Sequence, residues 1–585
     1  MPETKTAPET KARSEELRRT DLRGVIAALR SGAAPDAWMA RWLGPAHADP
    51  AAFTEMLYTL ASARRGGLAS SARTAIDLYK DCVAAHLGAQ RRAFVAREAG
   101  RDVELTYEAL HARSGALMSA WRAAGVEAGQ SVCLLLPVGV DYVVSLVTAL
   151  RMGLVVSAVP PVGPTLARAR IAALAPDAVV AAERHRPLFR GTGAIALPPS
   201  GAREVGAQGS FGYAAGDPVL RLLPAFGEGA DAPIDLPAAR LHASLLGDAL
   251  LVFALDEKDT LAMPGWEPLV HQPTSLLASL LAGAAFCEVA PADVAADPGL
   301  LGRLGVTVLG VGRALREVLL GQGKWPPGAI RTWFRTMTDP LDLSRWEALG
   351  NLSSKAGVAV FNTAISAAAG GALLFSRVVK EVPGLTVWPV PGRPWLLGEV
   401  GTKDLAALND SGVFSVLDGE EPVAGAPRLL LTRSGDGYLC SGCLDVGPEA
   451  RAVPIDLMSG AVERHPAVRH ATVVVSPGRA INEANVTLIA FVEDTRGPDG
   501  RFAPPVTAAE LRALCVKELG ESLAPSRVEV FPLRPRLVKG AVDRGWCRSQ
   551  YLGGALTEKA RDELFVAVSR LGYLLDVPAE GAEER

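Results

Sequence analysis

Apolar residues recur at helical spacing from Ser14 to about Ala85, first as Leu22, Val25, Ile26 and Leu29 and then as Trp38, Trp42, Phe53, Met56 and Leu57. This periodicity predicts a helical lead-in. Thr106 stands as an N-cap before a stripe of Leu110, Leu117, Met118 and Trp121 that ends at Gly125, which predicts one amphipathic helix. Short apolar runs at Val132 to Leu136, Leu154 to Val159 and Val179 to Val180 then alternate with a buried-helix pattern from Tyr142 to Leu150 and a helical one from Leu166 to Leu174. Such alternation predicts an α/β fold around a parallel sheet. After Gly201 the chain is rich in Gly, Ala, Pro and Asp as far as Asp235, and strand-like runs resume at Leu250 to Leu255 and Ala284 to Val289.

The C-terminal part has a different character. Strands are expected at Ala471 to Val475, Thr487 to Val492 and Arg527 to Phe531, with Thr507 and Glu510 forming a capping box ahead of Leu511, Leu514 and Leu519. This is the pattern of a compact α+β module. Thr557 starts a further helix with Leu564, Phe565, Val568 and Leu571 on one side. The expected division is a loose tail over 1–13, a helical extension over 14–85, a large α/β domain over 86–440, a small α+β domain over 441–550, and a C-terminal helix and tail over 551–585.

Composition narrows the function classes. The 585 residues are 49% hydrophobic and 21% charged, ample for large cores. A net charge of -3 provides no field to gather the chain onto nucleic acid or acidic lipid. Seven scattered cysteines fit reduced thiols and a cytoplasmic location. The most apolar stretch, Cys133 to Pro161, contains Asp141, Arg151 and prolines and is no membrane span.

Several strings in matching order resemble acetyl- and propionyl-CoA synthetases of the adenylate-forming, AMP-binding superfamily. Leu105-Thr-Tyr-Glu-Ala-Leu is similar to that family's LTYxEL, and Leu150-Arg-Met-Gly followed by Ala169-Arg-Ile to its RxGA and RI. Ala262-Met-Pro-Gly-Trp266 with Leu280-Leu-Ala-Gly-Ala284 resembles ADVGW and PLxxGA. The stretch from Phe361 to Gly371 aligns without a gap on VDTWWQTETGG. Farther on, Gly437-Tyr-Leu, Gly442-Cys-Leu-Asp445, His465-Pro-Ala-Val468 and Lys539-Gly-Ala-Val-Asp-Arg544 resemble GYY, GRxDD, HPxV and SGKxxRR. The resemblance implies a large adenylate-forming domain with parallel sheets and helices, followed by a small α+β domain. It also implies a reaction in which a carboxylate attacks ATP and the acyl-adenylate passes to CoA.

The residues that this chemistry uses are largely replaced. Where the resemblance implies the phosphate loop TSGSTGxPKG, this chain reads Pro224-Ala225-Phe226-Gly227-Glu228-Gly229, and no Ser, Thr or Lys occurs between Phe211 and Ala243. Glu228 and Asp231 place negative charge where phosphates lie in the family. The magnesium-binding Glu falls on Ala368, the ribose-binding Asp near Leu429, and the terminal Lys on Ala541, with Lys539 two residues away. The CoA-side stretch SGHRLGTxEIE reads Ala450-Arg-Ala-Val-Pro-Ile-Asp-Leu-Met-Ser459. Losing one preorganised charge contact typically costs about 10² to 10³ in rate.

The expectation is therefore an acyl-CoA-synthetase-like pseudoenzyme without catalytic residues or metal, and without ATP, Mg or CoA as cofactors. It would serve another protein or a small acyl ligand as partner. The alternative is a diverged acid-thiol ligase with a rebuilt site, and a further one is an inactive subunit of an active paralogue. Trp266, His271, Asp339 and Thr363 are the candidate ligand pocket. His271 reads more readily as a core histidine than as a group that orients a carboxylate, and Asp339 reads at least as well as a helix cap before Leu341 and Leu343. Cys440 and Cys443 form a CxxC with no second pair, which reads as coincidence. Arg534, Arg536, Lys539 and Arg544 read as a solvated edge.

Overall fold

The structure, a computed structural model, describes residues 22–31, 46, 49–65, 75–200, 209–225, 232–340, 342–376, 386–393, 395–398, 411–418, 421–423, 426–434, 437–443, 453–478, 483–496, 498 and 502–556. Phe226, Gly227, Glu228 and Gly229, the segment around Asp445 and the helix expected from Thr557 lie outside them. The chain divides into two compact units. The first comprises Met1–Pro160, Arg170–Asp445 and Ala480–Asn482, the second Pro161–Ala169, Val446–Arg479 and Glu483–Arg585.

In the first unit six strands run parallel side by side, in the order Ala359–Ser366, Thr332–Thr336, Val308–Gly310, Thr260–Ala262, Ala285–Glu288 and Arg92–Glu98. Their central side chains are buried on both faces, as is usual for parallel strands. Antiparallel Arg101–Thr106 closes one edge, and Gly371–Phe375 continues the sheet antiparallel on the other. A second sheet pairs Ile195–Leu197, Ala178–Ala181, Ser131–Leu135, Val155–Ala158 and Pro218–Leu222 in parallel, with Ile234–Pro237 antiparallel at the end. The helix Tyr107–Ala123 starts where the sequence places it, because Thr106 accepts the Ala109 amide at 3.1 Å. The helix Val140–Met152 is buried at every position but Asp141.

The lead-in is helical over Leu22–Ser31, Pro50–Arg65 and Leu78–Cys82 among the described residues. One expectation is overturned. Leu250 to Leu255 is not a strand: Ala238–Gly247 runs on into a π-helical turn over Asp248–Val252, and Leu255 donates its amide to Ala249 at 2.7 Å. All of Ala249 to Leu255 is buried, so the run carries no amphipathic period to separate buried helix from buried strand.

The second unit contains the sheet Val468–Pro477, Ala484–Val492 and Arg527–Phe531, with the first pair antiparallel and the second parallel. Its helix Ala508–Leu519 opens on a full capping box, in which Glu510 accepts the Thr507 amide at 2.8 Å and Thr507 accepts the Glu510 amide at 3.2 Å. Among the described residues no helix is long and apolar enough to cross a membrane. Six cysteines, including Cys440, are buried free thiols.

Candidate functional site

Open α/β sheets build their sites at the carboxyl ends of parallel strands. Here those ends carry Met263 to Trp266 after Thr260–Ala262, Val311 and Gly312 after Val308–Gly310, Met337 and Thr338 after Thr332–Thr336, and a 3-10 turn, Ala367–Ala369, after Ala359–Ser366. Trp266 meets Phe334 edge-on with centroids 5.4 Å apart, and Phe334 stacks on Phe361 at 4.8 Å. Glycine is required where these rings close in. A Cβ at Gly310 would lie 2.9 Å from Phe334 Cζ and 3.0 Å from Met263 Cγ. The strand ends are thus a packed aromatic wall.

Trp266 and His271 are brought together, with ring centroids 6.2 Å apart, and His271 also faces Phe286 at 6.4 Å. Burial pushes the His271 pKa down to about 3, so the ring is neutral and offers no cation to a carboxylate. Its Nδ1 accepts from the side-chain Nε2 of Gln272 at 3.2 Å. Two buried polar atoms beside it, Trp266 Nε1 and Gln272 Oε1, have no hydrogen-bond partner in the described structure. Such groups cost about 1–3 kcal/mol each unless something meets them.

The other expected pocket residues are placed differently. Thr363 is fully buried within its strand and donates its hydroxyl to the Leu374 carbonyl at 2.9 Å. Asp339 is half-buried and is not the helix cap; Asp342 is, accepting the Arg345 amide at 3.3 Å ahead of Leu343–Lys355. The cap position follows the first helical turn, which starts three residues later than Pro340 suggests.

Ala367, Ala368 and Ala369 are each 1% exposed. The turn offers no side-chain donor or acceptor, and among the described residues no group of three or more His, Cys, Asp or Glu could hold a metal. Alanine side chains at this turn supply no ligand for a magnesium ion. Leu429 is wholly buried in Leu429–Ser434. Pro224 and Ala225 follow the strand Pro218–Leu222. In the second unit Ala541 and Lys539 lie exposed on the hairpin of Leu537–Val538 and Ala541–Val542, with Lys539 at φ 52° in the left-handed region.

Sequence reasoning missed a cleft of about 210 Å³ in the first unit, to which Thr54, Arg240, Ser244, Ala369 and Arg393 contribute. Arg393 Nη2 lies 3.5 Å from the carboxylate of Asp248, which also accepts the Ala372 amide at 3.0 and 3.2 Å. Gly371 makes this possible: at φ 130° it brings its backbone so close that a Cβ would stand 2.0 Å from Asp248 Oδ2. The adjacent glycines Gly370 and Gly371 were the only local signal of such an approach.

No protein-family model and no curated protein matches the sequence. Solved structures match over most of the chain. An acyl-CoA synthetase from Brucella canis is 19% identical with a TM-score of 0.53, covering 85% of this chain and 97% of that one. An o-succinylbenzoate CoA synthetase from Bacillus subtilis, solved with a product analogue, is 15% identical with a TM-score of 0.59 over 81% and 98%. A benzoate CoA ligase from Burkholderia xenovorans is 18% identical with a TM-score of 0.52 over 81% and 100%. This chain carries the fold of acyl-CoA synthetases.

Proposed function

We propose that the chain is a non-catalytic relative of the acetyl- and propionyl-CoA synthetases. It has lost its ATP, Mg and CoA sites and is retained in the cytoplasm to bind a small acyl ligand or a partner protein. The observation that carries this reading is the buried tri-alanine turn Ala367–Ala369, which stands where the resemblance puts a metal-binding carboxylate. A metal-bound triphosphate brought to this turn meets three alanine side chains and no carboxylate among them, and uncompensated charge in a poorly solvated site is costly. The unpartnered Trp266 Nε1 and Gln272 Oε1 support retained binding of a small polar group at the strand ends.

Isothermal titration of the full chain with ATP and Mg²⁺, and a pyrophosphate-release assay across a panel of carboxylic acids, test the reading. The expected result is no saturable heat from ATP and no pyrophosphate. Micromolar ATP binding, or pyrophosphate release abolished by substitutions at the strand ends, would replace it with a diverged acid-thiol ligase.

A further inference from the structure

We propose that Arg316, on the helix Arg313–Gln322, and Trp346, on the helix Leu343–Lys355, hold a buried chloride ion beside the strand Thr332–Thr336. The site stands whether or not the strand ends turn over ATP.

Both side chains carry a donor that nothing meets. Arg316 is 3% exposed and Trp346 is wholly buried. Arg316 gives its Nε and Nη2 to Glu317 Oε1 at 2.9 and 2.7 Å, and its Nη1 is buried with no hydrogen-bond partner among the described residues. Trp346 Nε1 is buried without a partner in the same way. The neighbouring Trp333, stacked on Trp346 with ring centroids 6.0 Å apart, shows how an indole here is ordinarily satisfied: its Nε1 donates to Ser353 Oγ at 2.8 Å. A guanidinium and an indole N–H only donate, so whatever completes them must accept.

The charge balance favours an anion over a water. The Arg316 guanidinium lies 4.8 Å from the centroid of the Trp346 ring, and that of Arg335, also wholly buried, approaches the same ring at 5.5 Å. Burial first, and the charge of Arg316 in addition, pull the Arg335 pKa down to about 10. Glu317 is divided between Arg316 on one oxygen and the exposed Arg345 on the other, so its carboxylate offsets only part of the buried positive charge. A halide accepts from both donors and has no hydrogens of its own to place, whereas a water would need further acceptors. Burial of Arg316, Arg335 and Trp346 limits the ligand to about the volume of a water, about 30 Å³, which suits a single halide and excludes phosphate and organic acids.

The test is chloride NMR line broadening by the full chain, with bromide, phosphate and gluconate as competitors at constant ionic strength, so that general screening is held fixed. Saturable broadening that bromide displaces, and that phosphate and gluconate leave in place, is expected. Trp346→Phe keeps an aromatic ring and removes one donor, and Arg316→Gln removes the charge. Each should weaken chloride about ten- to hundredfold. Bromide soaked into crystals of the parent protein needs no variant to fold, and its anomalous peak is expected within hydrogen-bonding reach of Arg316 Nη1 and Trp346 Nε1. No saturable broadening, displacement by phosphate as readily as by bromide, chloride affinity unchanged in both variants, or bromide peaks elsewhere and none at this position would each overturn the proposal.

Discussion

Tyr58 stacks on His242 with ring centroids 5.2 Å apart and places its hydroxyl 2.7 Å from Nδ1, while Nε2 of the same ring lies 3.0 Å from Asp81. Asp81 only accepts, so it fixes a proton on Nε2. The three residues come from helices Pro50–Arg65, Ala238–Gly247 and Leu78–Cys82 and are all buried. This polar contact therefore fastens the helical lead-in to a wall of the cleft. Tyr58→Phe removes a buried hydroxyl from His242 and is expected to lower stability by about 1–2 kcal/mol in urea denaturation. An unchanged midpoint would show that the lead-in is held by apolar packing alone.

His271 sets an acid limit. Its pKa in the folded chain, about 3, lies below the ordinary 6.5 because burial disfavours the charged ring. The unfolded chain therefore binds a proton that the folded chain refuses, and stability falls as pH drops from about 6.5 toward 3. The slope from this group is at most about 1.4 kcal/mol per pH unit. His271→Phe should flatten thermal stability between pH 6 and 4 relative to the parent protein, and a parallel profile would refute the assignment.

Asp248 acts in the opposite direction. Burial raises its pKa from 3.8 to about 7, against the pull of Arg393 and the Ala372 amide. The folded chain holds this proton more tightly than the unfolded one. The contribution is complete below about pH 3.8 and is lost as pH rises toward 7. Asp248→Asn should remove that decline in melting profiles from pH 4.5 to 7.5, and a variant that loses stability most steeply in this same window would contradict it.

Gly371→Ala tests the close approach behind the cleft. The new Cβ would collide with Asp248 Oδ2 at a φ that suits glycine. A loss of more than about 2 kcal/mol is expected from strain and a displaced buried carboxylate. Gly209→Ala, where a Cβ has open space, is the control and should cost little.

How much of this was legible in the sequence depended on whether a residue's role was local. Thr106 and the Thr507 and Glu510 pair state their function within four residues, and the structure agrees at each. Leu250 to Leu255 misled because complete burial erases periodicity. Asp339 misled because Thr338-Asp-Pro340 looks like a helix start, when the capping carboxylate belongs to Asp342. The pairing of Arg393 with Asp248 spans 145 residues. Only the fold brings such groups together, and no spacing rule reveals them. Trp266 and His271 are separated by five positions, and the resemblance pointed to both; their neutral, desolvated setting came from the packing around them.

The tri-alanine turn also limits which side chains this position tolerates. A glutamate at position 368 would bring a carboxylate to a site where Ala367, Ala368 and Ala369 are each 1% exposed. A buried carboxylate there would carry a desolvation cost that alanine avoids, unless a cation or hydrogen-bond donor met it.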